Sequence, residues 1–403
     1  MPHLSFLPEF PVATHPLLLF GVLLIVGVAG GELVQRAVRL PRITGYVLTG
    51  MLFGPGGLNV LNERLLSESW IFVDIGLGLV LFELGRRLHL RWLVRERYVL
   101  ATGMAESALS FALVYVALMY FDVPALHAAV AAAIGVSSSP AVVMLVAREL
   151  RAEGQLTERA LHLVAVNSVV AFTLTTMFLS WMHREYRADW ITVVLHPLYM
   201  LFGSLILGGA ACAIGLALAR WLGKSAERQV VMLLGLVVFT IGAAHMLRLS
   251  VLFALLAVGL MLRNLDTRHD IMSVDLGRTE QLFFVVLFVV TGARLALPQL
   301  ATGGIVALVF LAARFVGKSL GVLALAPFSG ARAGSAGWLC LALTPMSGLA
   351  LALVQETTYI YPDFGADIAA ILLSAVLILE LLGPLAVQVA LRQSGEAERQ
   401  EAA

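Results

Sequence analysis

The chain has 403 residues, of which 60% are hydrophobic and 13% charged, with a net charge of +1 and a mean hydropathy of +0.92. Soluble domains sit near half apolar and a quarter charged, so almost no chain is left for a soluble domain, and the near-zero net charge points away from nucleic acid. The pattern is that of an all-α polytopic membrane protein.

Apolar runs long enough to cross a bilayer fall, in chain order, at roughly 16–36, 43–60, 69–88, 98–121, 125–148, 157–181, 198–221, 228–246, 249–264, 279–297, 300–325, 335–357 and 365–391. About 13 transmembrane helices are therefore expected, the second and ninth being short. Residues 1–15 lack the basic start of a signal peptide, so the first run stays as a membrane helix behind an extracytoplasmic N-terminal segment. With the N-terminus outside, the inside segments carry twenty Lys and Arg and the outside segments five (Arg64, Arg184, Arg187, Arg248 and Arg294). That bias places the short polar tail, 392–403, in the cytoplasm. Cys212 and Cys340 lie inside apolar runs and read as small buried hydrophobes, with no disulfide or metal spacing. No cofactor is implied.

A string that closes the third run, Gly85-Arg86-Arg87-Leu88-His89-Leu90, returns at the close of the tenth as Gly292-Ala293-Arg294-Leu295-Ala296-Leu297, 207 residues later. Seven spans is an odd offset, so the chain reads as two inverted-topology repeats, a build that puts the working site where the halves meet. The fifth run is broken by Ser137-Ser138-Ser139-Pro140 and the twelfth by Thr344-Pro345-Met346-Ser347-Gly348, with Pro140 and Pro345 separated by 205 residues. Proline removes a backbone donor and interrupts the helix. Unwound backbone at membrane depth survives only inside protein or a wet cavity. Free carbonyls and the hydroxyls of Ser138, Ser139 and Thr344 there have the chemistry to coordinate a small cation. Two kinks that merely shape the bundle are the plainer alternative, which the matched positions disfavour.

Arg314 and Lys318 stand one turn apart near the middle of the eleventh run. Cations at that depth need partners. The candidates are Glu106, Glu380 and, near the end of its helix, Glu356. Glu106 plus the repeat offset lands near Arg314, so the fourth and eleventh runs are repeat mates. For Glu380 a structural ion pair is the simpler reading. Glu83 pairs at the surface with Arg86 and Arg87, and His162 and His245 read as hydrogen-bonded rather than as metal ligands. Gly203, Gly208, Gly209, Ala211 and Gly215 suit close helix packing, internal or at a dimer face. No metal-ligand motif, phosphate loop or nucleophile elbow is present, so a membrane-embedded enzyme is the least favoured class.

Arg42-Ile43-Thr44-Gly45-Tyr46 with Gly50-Met51-Leu52-Phe53-Gly54-Pro55, then Val80-Leu81-Phe82-Glu83-Leu84-Gly85, Ser138-Ser139-Pro140-Ala141-Val142-Val143, Phe283-Phe284, Gly317-Lys318 and Leu343-Thr344-Pro345 follow one another in order. This series resembles the monovalent cation:proton antiporters, nearest to their potassium-efflux-like sodium/hydrogen exchanger branch, across about 16–391. The resemblance implies a pair of crossed, interrupted helices in a core bundle that slides against a dimerisation scaffold. It also implies a homodimer, with a monovalent cation (Na+ or K+) and protons as its cargo; a bacterial inner membrane is the default location. The family pair on the sixth helix falls on Asn167 and Ser168. Its second member is ordinarily an aspartate, and no acid lies between Glu158 and Trp181. Serine does not titrate near neutral pH. Either the carboxylate has moved, with Glu106 the first candidate, or Lys318 carries the proton, or coupling is lost. The function expected is cation:proton exchange by alternating access. A non-transporting or uncoupled scaffold or sensor that keeps the fold is the alternative, and a passive ion conduit the third reading.

Overall fold

The computed structural model describes residues 16–185, 190–267, 270–271, 277–295, 297–328 and 333–397. Residues 1–15, the end of the tail, Arg187, Ala296 and Arg332 lie outside that set. In chain order the helices are α1 (Pro16–Val38), α2 (Arg42–Phe53), α3 (Glu63–Glu68), α4 (Trp70–Arg87), α5 (Leu90–Arg95), α6 (Arg97–Tyr120), α7 (Ala125–Val136), α8 (Pro140–Glu149) and α9 (Gln155–Glu185). They continue as α10 (Trp190–Leu222), α11 (Ala226–Met246), α12 (Val251–Leu265), α13 (Gly277–Arg294), α14 (Leu297–Leu325), α15 (Ala333–Ala342), α16 (Gly348–Ile360) and α17 (Pro362–Gln393). No strand occurs among the described residues.

Each of the thirteen apolar runs becomes a helix or a pair of half-helices. Among the described residues, eight spans are long and apolar enough to cross a bilayer by length and composition alone, counting Ala125–Glu149 as one. The second run differs from expectation. Its helix ends at Phe53 because Gly54 takes an extended conformation before Pro55, and Asn62 starts the separate helix α3 by accepting the Leu65 N–H at 3.0 Å. With 12 residues, α2 rises about 18 Å, short of a hydrocarbon core of about 30 Å. Its repeat mate α12 has 15 residues. Both are sheltered by longer neighbours: α2 packs on α1 and α13, α12 on α4 and α10.

Those pairings show the repeat in space. Helices α1, α2 and α4 correspond to α11, α12 and α13, and α6 to α9 correspond to α14 to α17, with α10 joining the halves. α2 lies against α13, and their mates α12 and α4 lie against each other in the same way. The recurring Gly85 and Gly292 make these contacts possible. A Cβ on Gly85 would strike the backbone of Leu256 and Leu260 on α12, and one on Gly292 would strike Val47 on α2. The opposing backbones answer with Gly259 against Phe82 and Gly50 against Val289.

The helices divide into two bodies. α1, α2, α4 and α10 to α13 pack mainly on one another, and so do α6 to α9 with α14 to α17. The small residues of α10 serve the first body. Gly203 meets Leu249, Gly208 meets the Ala254–Val258 stretch of α12, and Gly215 meets Leu236. The second body centres on α6 and α14, which cross closely because Gly317 lies over Ser110 and Gly321 over the backbone of Glu106.

Candidate functional site

Both breaks lie in the second body and touch. Ser139 N donates to Pro345 O at 2.9 Å, Ser138 Oγ donates to Leu343 O at 2.9 Å, and the Ser139 and Ser347 hydroxyls are hydrogen-bonded to each other. Locally, Pro140 opens α8 as its first residue, where its missing N–H costs nothing, and Ser139 caps that helix by accepting the Val142 N–H. On the other side of each break the chain leaves the C-terminal carbonyls of a half-helix, α7 or α15, without intrahelical donors.

The two cations of α14 occupy those carbonyls. Arg314 Nε donates to Gly135 O at 2.8 Å. Its Nη1 donates to Thr344 O at 2.7 Å, and its Nη2 to Ser137 O at 2.6 Å and Pro345 O at 3.5 Å. Lys318 Nζ donates to Val136 O at 2.8 Å and to Glu106 Oε2 at 2.9 Å. Arg314 and Lys318 are each 1% exposed and Glu106 0%. The negative ends of both half-helix dipoles thus meet fixed positive charge. The close α6–α14 crossing brings the lysine to its acid. The crossing differs from the open shell of carbonyls expected from the sequence, because Arg314 and Lys318 already fill it. The donors of both cations are spent on backbone and on Glu106.

A polar relay continues from there. Ser107 Oγ donates to Asn167 Oδ1 at 3.1 Å, and Asn167 Nδ2 donates to Ser138 Oγ at 3.3 Å. α6, α9 and both breaks are therefore tied through buried side chains. Thr344 joins by its carbonyl only, since its hydroxyl bonds Leu341 O. Sequence reasoning missed Ser107, and it named Ser347 only as part of its break. The second had a signal, because it lies 208 residues from Ser139, close to the repeat offset.

Two of the expected residues stand apart. Ser168 donates to Val164 O of its own helix at 2.8 Å. One turn further on, Phe172 stacks on Phe253 of α12 with centroids 5.6 Å apart, so this face of α9 looks toward the first body. Glu380 makes no ion pair among the described residues. It is 0% exposed, and neither carboxyl oxygen has a hydrogen-bond partner. The structural pair expected for it is absent because α14 presents its cations to α6 and α7, not to α17. Glu356 likewise does not reach Lys318, whose acid is Glu106.

The remaining polar groups are peripheral. Glu83 lies within 3.4 to 3.9 Å of Arg86, Arg87 and Arg148. His245 Nε2 lies 2.9 Å from Asp74 Oδ2, and His162 Nδ1 2.7 Å from Glu158 O. Among the described residues no three His, Cys, Asp or Glu side chains gather as a metal site. Cys212 and Cys340 are buried and unbonded to each other.

Residues 21–393 match the family described as sodium/hydrogen exchanger, transmembrane. The Na(+)/H(+) antiporter NhaS5 of Synechocystis sp. is 35% identical over 81 residues, 20% of this chain and 11% of that protein. The aligned stretch is therefore about a tenth of that relative's length. Two structures of the sodium proton antiporter MjNhaP1 from Methanocaldococcus jannaschii, one at pH 8 and one from an EM map, superpose with a TM-score of 0.67 at 17% identity. They cover 95% and 94% of this chain and 98% of theirs, a likeness of fold. With the match running through nearly every helix and both breaks, the chain belongs to the transmembrane sodium/hydrogen exchanger family.

Proposed function

We propose that the protein is a secondary transporter that exchanges a monovalent cation, Na+ or K+, for protons. The observation that carries this reading is the contact of two antiparallel half-helix breaks, one from each repeat. Beside that contact stand a buried acid and two buried cations, all in a chain of the exchanger family. A binding site at the junction of inverted repeats suits alternating access, in which one body rocks or slides against the other. The light packing between the two bodies supports such a motion. The proposed working residues are Glu106, Ser138, Ser139, Asn167, Arg314, Lys318 and Thr344 around the breaks at Pro140 and Pro345; Ser168, on the face of α9 that looks across the seam, stands outside them, bonded to its own backbone. The motif from Arg42 to Pro55 supports the potassium-efflux-like branch. The excess of Lys and Arg on one side supports an N-terminus outside and a cytoplasmic tail. Family resemblance supports a homodimer, and a bacterial inner membrane is the location proposed.

One observation favours a second reading. The family's sixth-helix acid is Ser168 here, bonded to its own backbone, which suits a scaffold or sensor that kept the fold and lost coupling. Purified protein in proteoliposomes carrying an internal pH dye separates the two. Exchange predicts proton flux when Na+ or K+ is added outside, dependent on the protein. Failure of every alkali cation to drive proton movement between acid and alkaline pH would overturn exchange in favour of the scaffold.

A further inference from the structure

The buried acids of the second body are in unlike situations. Glu106 is neutralised by Lys318 at 2.9 Å, so giving it a proton would strand an ammonium in the membrane interior. Glu380 has nothing to strand. It is 0% exposed and both its oxygens are unpartnered. Of the charged groups on the helices packed against α17, Arg314 and Lys318 on α14 are spent on carbonyls and Glu106. Arg148 on α8 lies toward Glu83, and Glu149 on α8 holds the Arg42 amide on α2. None of these cations forms an ion pair with Glu380, and neither Glu149 nor Glu356 on α16 shares a hydrogen bond with it. An ionised carboxylate in that position would have neither hydrogen bond nor counter-charge, which no protein interior sustains cheaply. Its helix nevertheless packs on the site. Gly383, three residues on and on the same face of α17, lies directly on Pro345, with room for only 3.0 Å between a Cβ there and the proline ring. Glu380 therefore sits on α17 one turn before the contact of that helix with the second break.

We propose that Glu380 is the proton-exchanging carboxyl of this protein, taking over the task that Ser168 cannot perform. In the closed arrangement it holds a proton. When movement at the second break admits water and a cation, the O–H bond breaks, the proton leaves to water, and Na+ or K+ takes its place on the carboxylate. One positive charge replaces another, so the exchange is one for one and the site's net charge does not change. Lys318 and Glu106 stay paired throughout, and their work is to hold the first break in place through the Val136 carbonyl. This assignment rests on the exchange reading but is separable from it.

The test uses the full chain in proteoliposomes, with E380Q and E380D beside the wild type. E380Q copies the shape and neutrality of the protonated acid, so it is expected to fold. Two readouts are taken: Na+-driven proton flux, and the infrared carbonyl-stretch band of a protonated carboxyl on adding Na+ at fixed pH. The proposal expects E380Q to fall to the flux of protein-free liposomes, E380D to retain flux with a displaced pH profile, and the wild-type band to lose intensity on Na+ addition with no such change in E380Q. Wild-type exchange matched by E380Q overturns the role of Glu380 and leaves exchange standing. A wild type without flux whose band still responds to Na+ through Glu380 supports the ion site and overturns exchange. No band change in the wild type overturns the assignment outright.

Discussion

Removing either partner of the Lys318–Glu106 pair strands a charge, and the size of that effect follows from the burial of both groups. The lysine is 1% and the glutamate 0% exposed, at 2.9 Å. Breaking a buried pair from one side costs about 3–5 kcal/mol, because the remaining ion has neither water nor partner. Glu106→Gln and Lys318→Met should each lose that much. The double variant removes both charges. What it leaves unsatisfied is mainly Val136 O, which Lys318 caps at 2.8 Å, for a cost of about 1–3 kcal/mol. If the singles simply added, the double would lose about 6–10 kcal/mol. The expected coupling is therefore at least about 3 kcal/mol. Reversible unfolding of the purified protein in mixed micelles, across increasing denaturing detergent, measures all four corners of the cycle. Singles that add to within about 0.5 kcal/mol would refute the argument, since that is the behaviour of groups that do not meet.

Three further outcomes are expected. Ser168→Ala should change stability by less than about 1 kcal/mol and leave transport intact, because its hydroxyl serves only the Val164 carbonyl; loss of flux in the liposome assay would restore Ser168 as a ligand. Gly321→Ala should cost about 1–3 kcal/mol by pushing α14 off the Glu106 backbone, whereas Gly242→Ala, with nothing within 4 Å, should be neutral or stabilise α11 by up to about 1 kcal/mol; thermal unfolding of the two side by side checks the contrast. Glu396 accepts the amides of Leu156 and Thr157 at 2.6 and 2.8 Å and so caps the start of α9 from the far end of the chain. Glu396→Gln should speed hydrogen exchange at those two amides, and unchanged rates would show that the cap carries no weight.

Much of the architecture was open to a reader of residues alone. Hydropathy placed all thirteen apolar runs, and Ser-Ser-Ser-Pro and Thr-Pro-Met-Ser-Gly marked both interruptions. The return of Gly85 at Gly292 indicated the inverted halves, since a helix backbone touching another helix backbone needs glycine on both sides of the fold. The pairing of Glu106 with the eleventh run followed from the same offset. The filling of the crossing was hidden because its acceptors are peptide carbonyls, which every residue carries. Nothing in the letters Gly135, Val136 and Ser137 says that their oxygens face an arginine and a lysine. The isolation of Glu380 was hidden for the opposite reason: the letters suggest one more structural pair, and only packing reveals which acids the α14 cations leave unmatched.

The distance along the chain between Glu106 and Lys318 has a consequence for how the protein is made. The two are 212 residues apart. A ribosome working at about 5–20 residues per second reaches the lysine some 10–40 s after the glutamate. Through that interval the first half sits in the bilayer with an acid whose counter-ion has not been synthesised. The nascent helix must keep its carboxyl protonated, hold it at the lipid headgroups or be guarded by the insertion machinery until the second half arrives. Slowing translation between the two residues lengthens the interval in which a half-built chain is exposed to quality control.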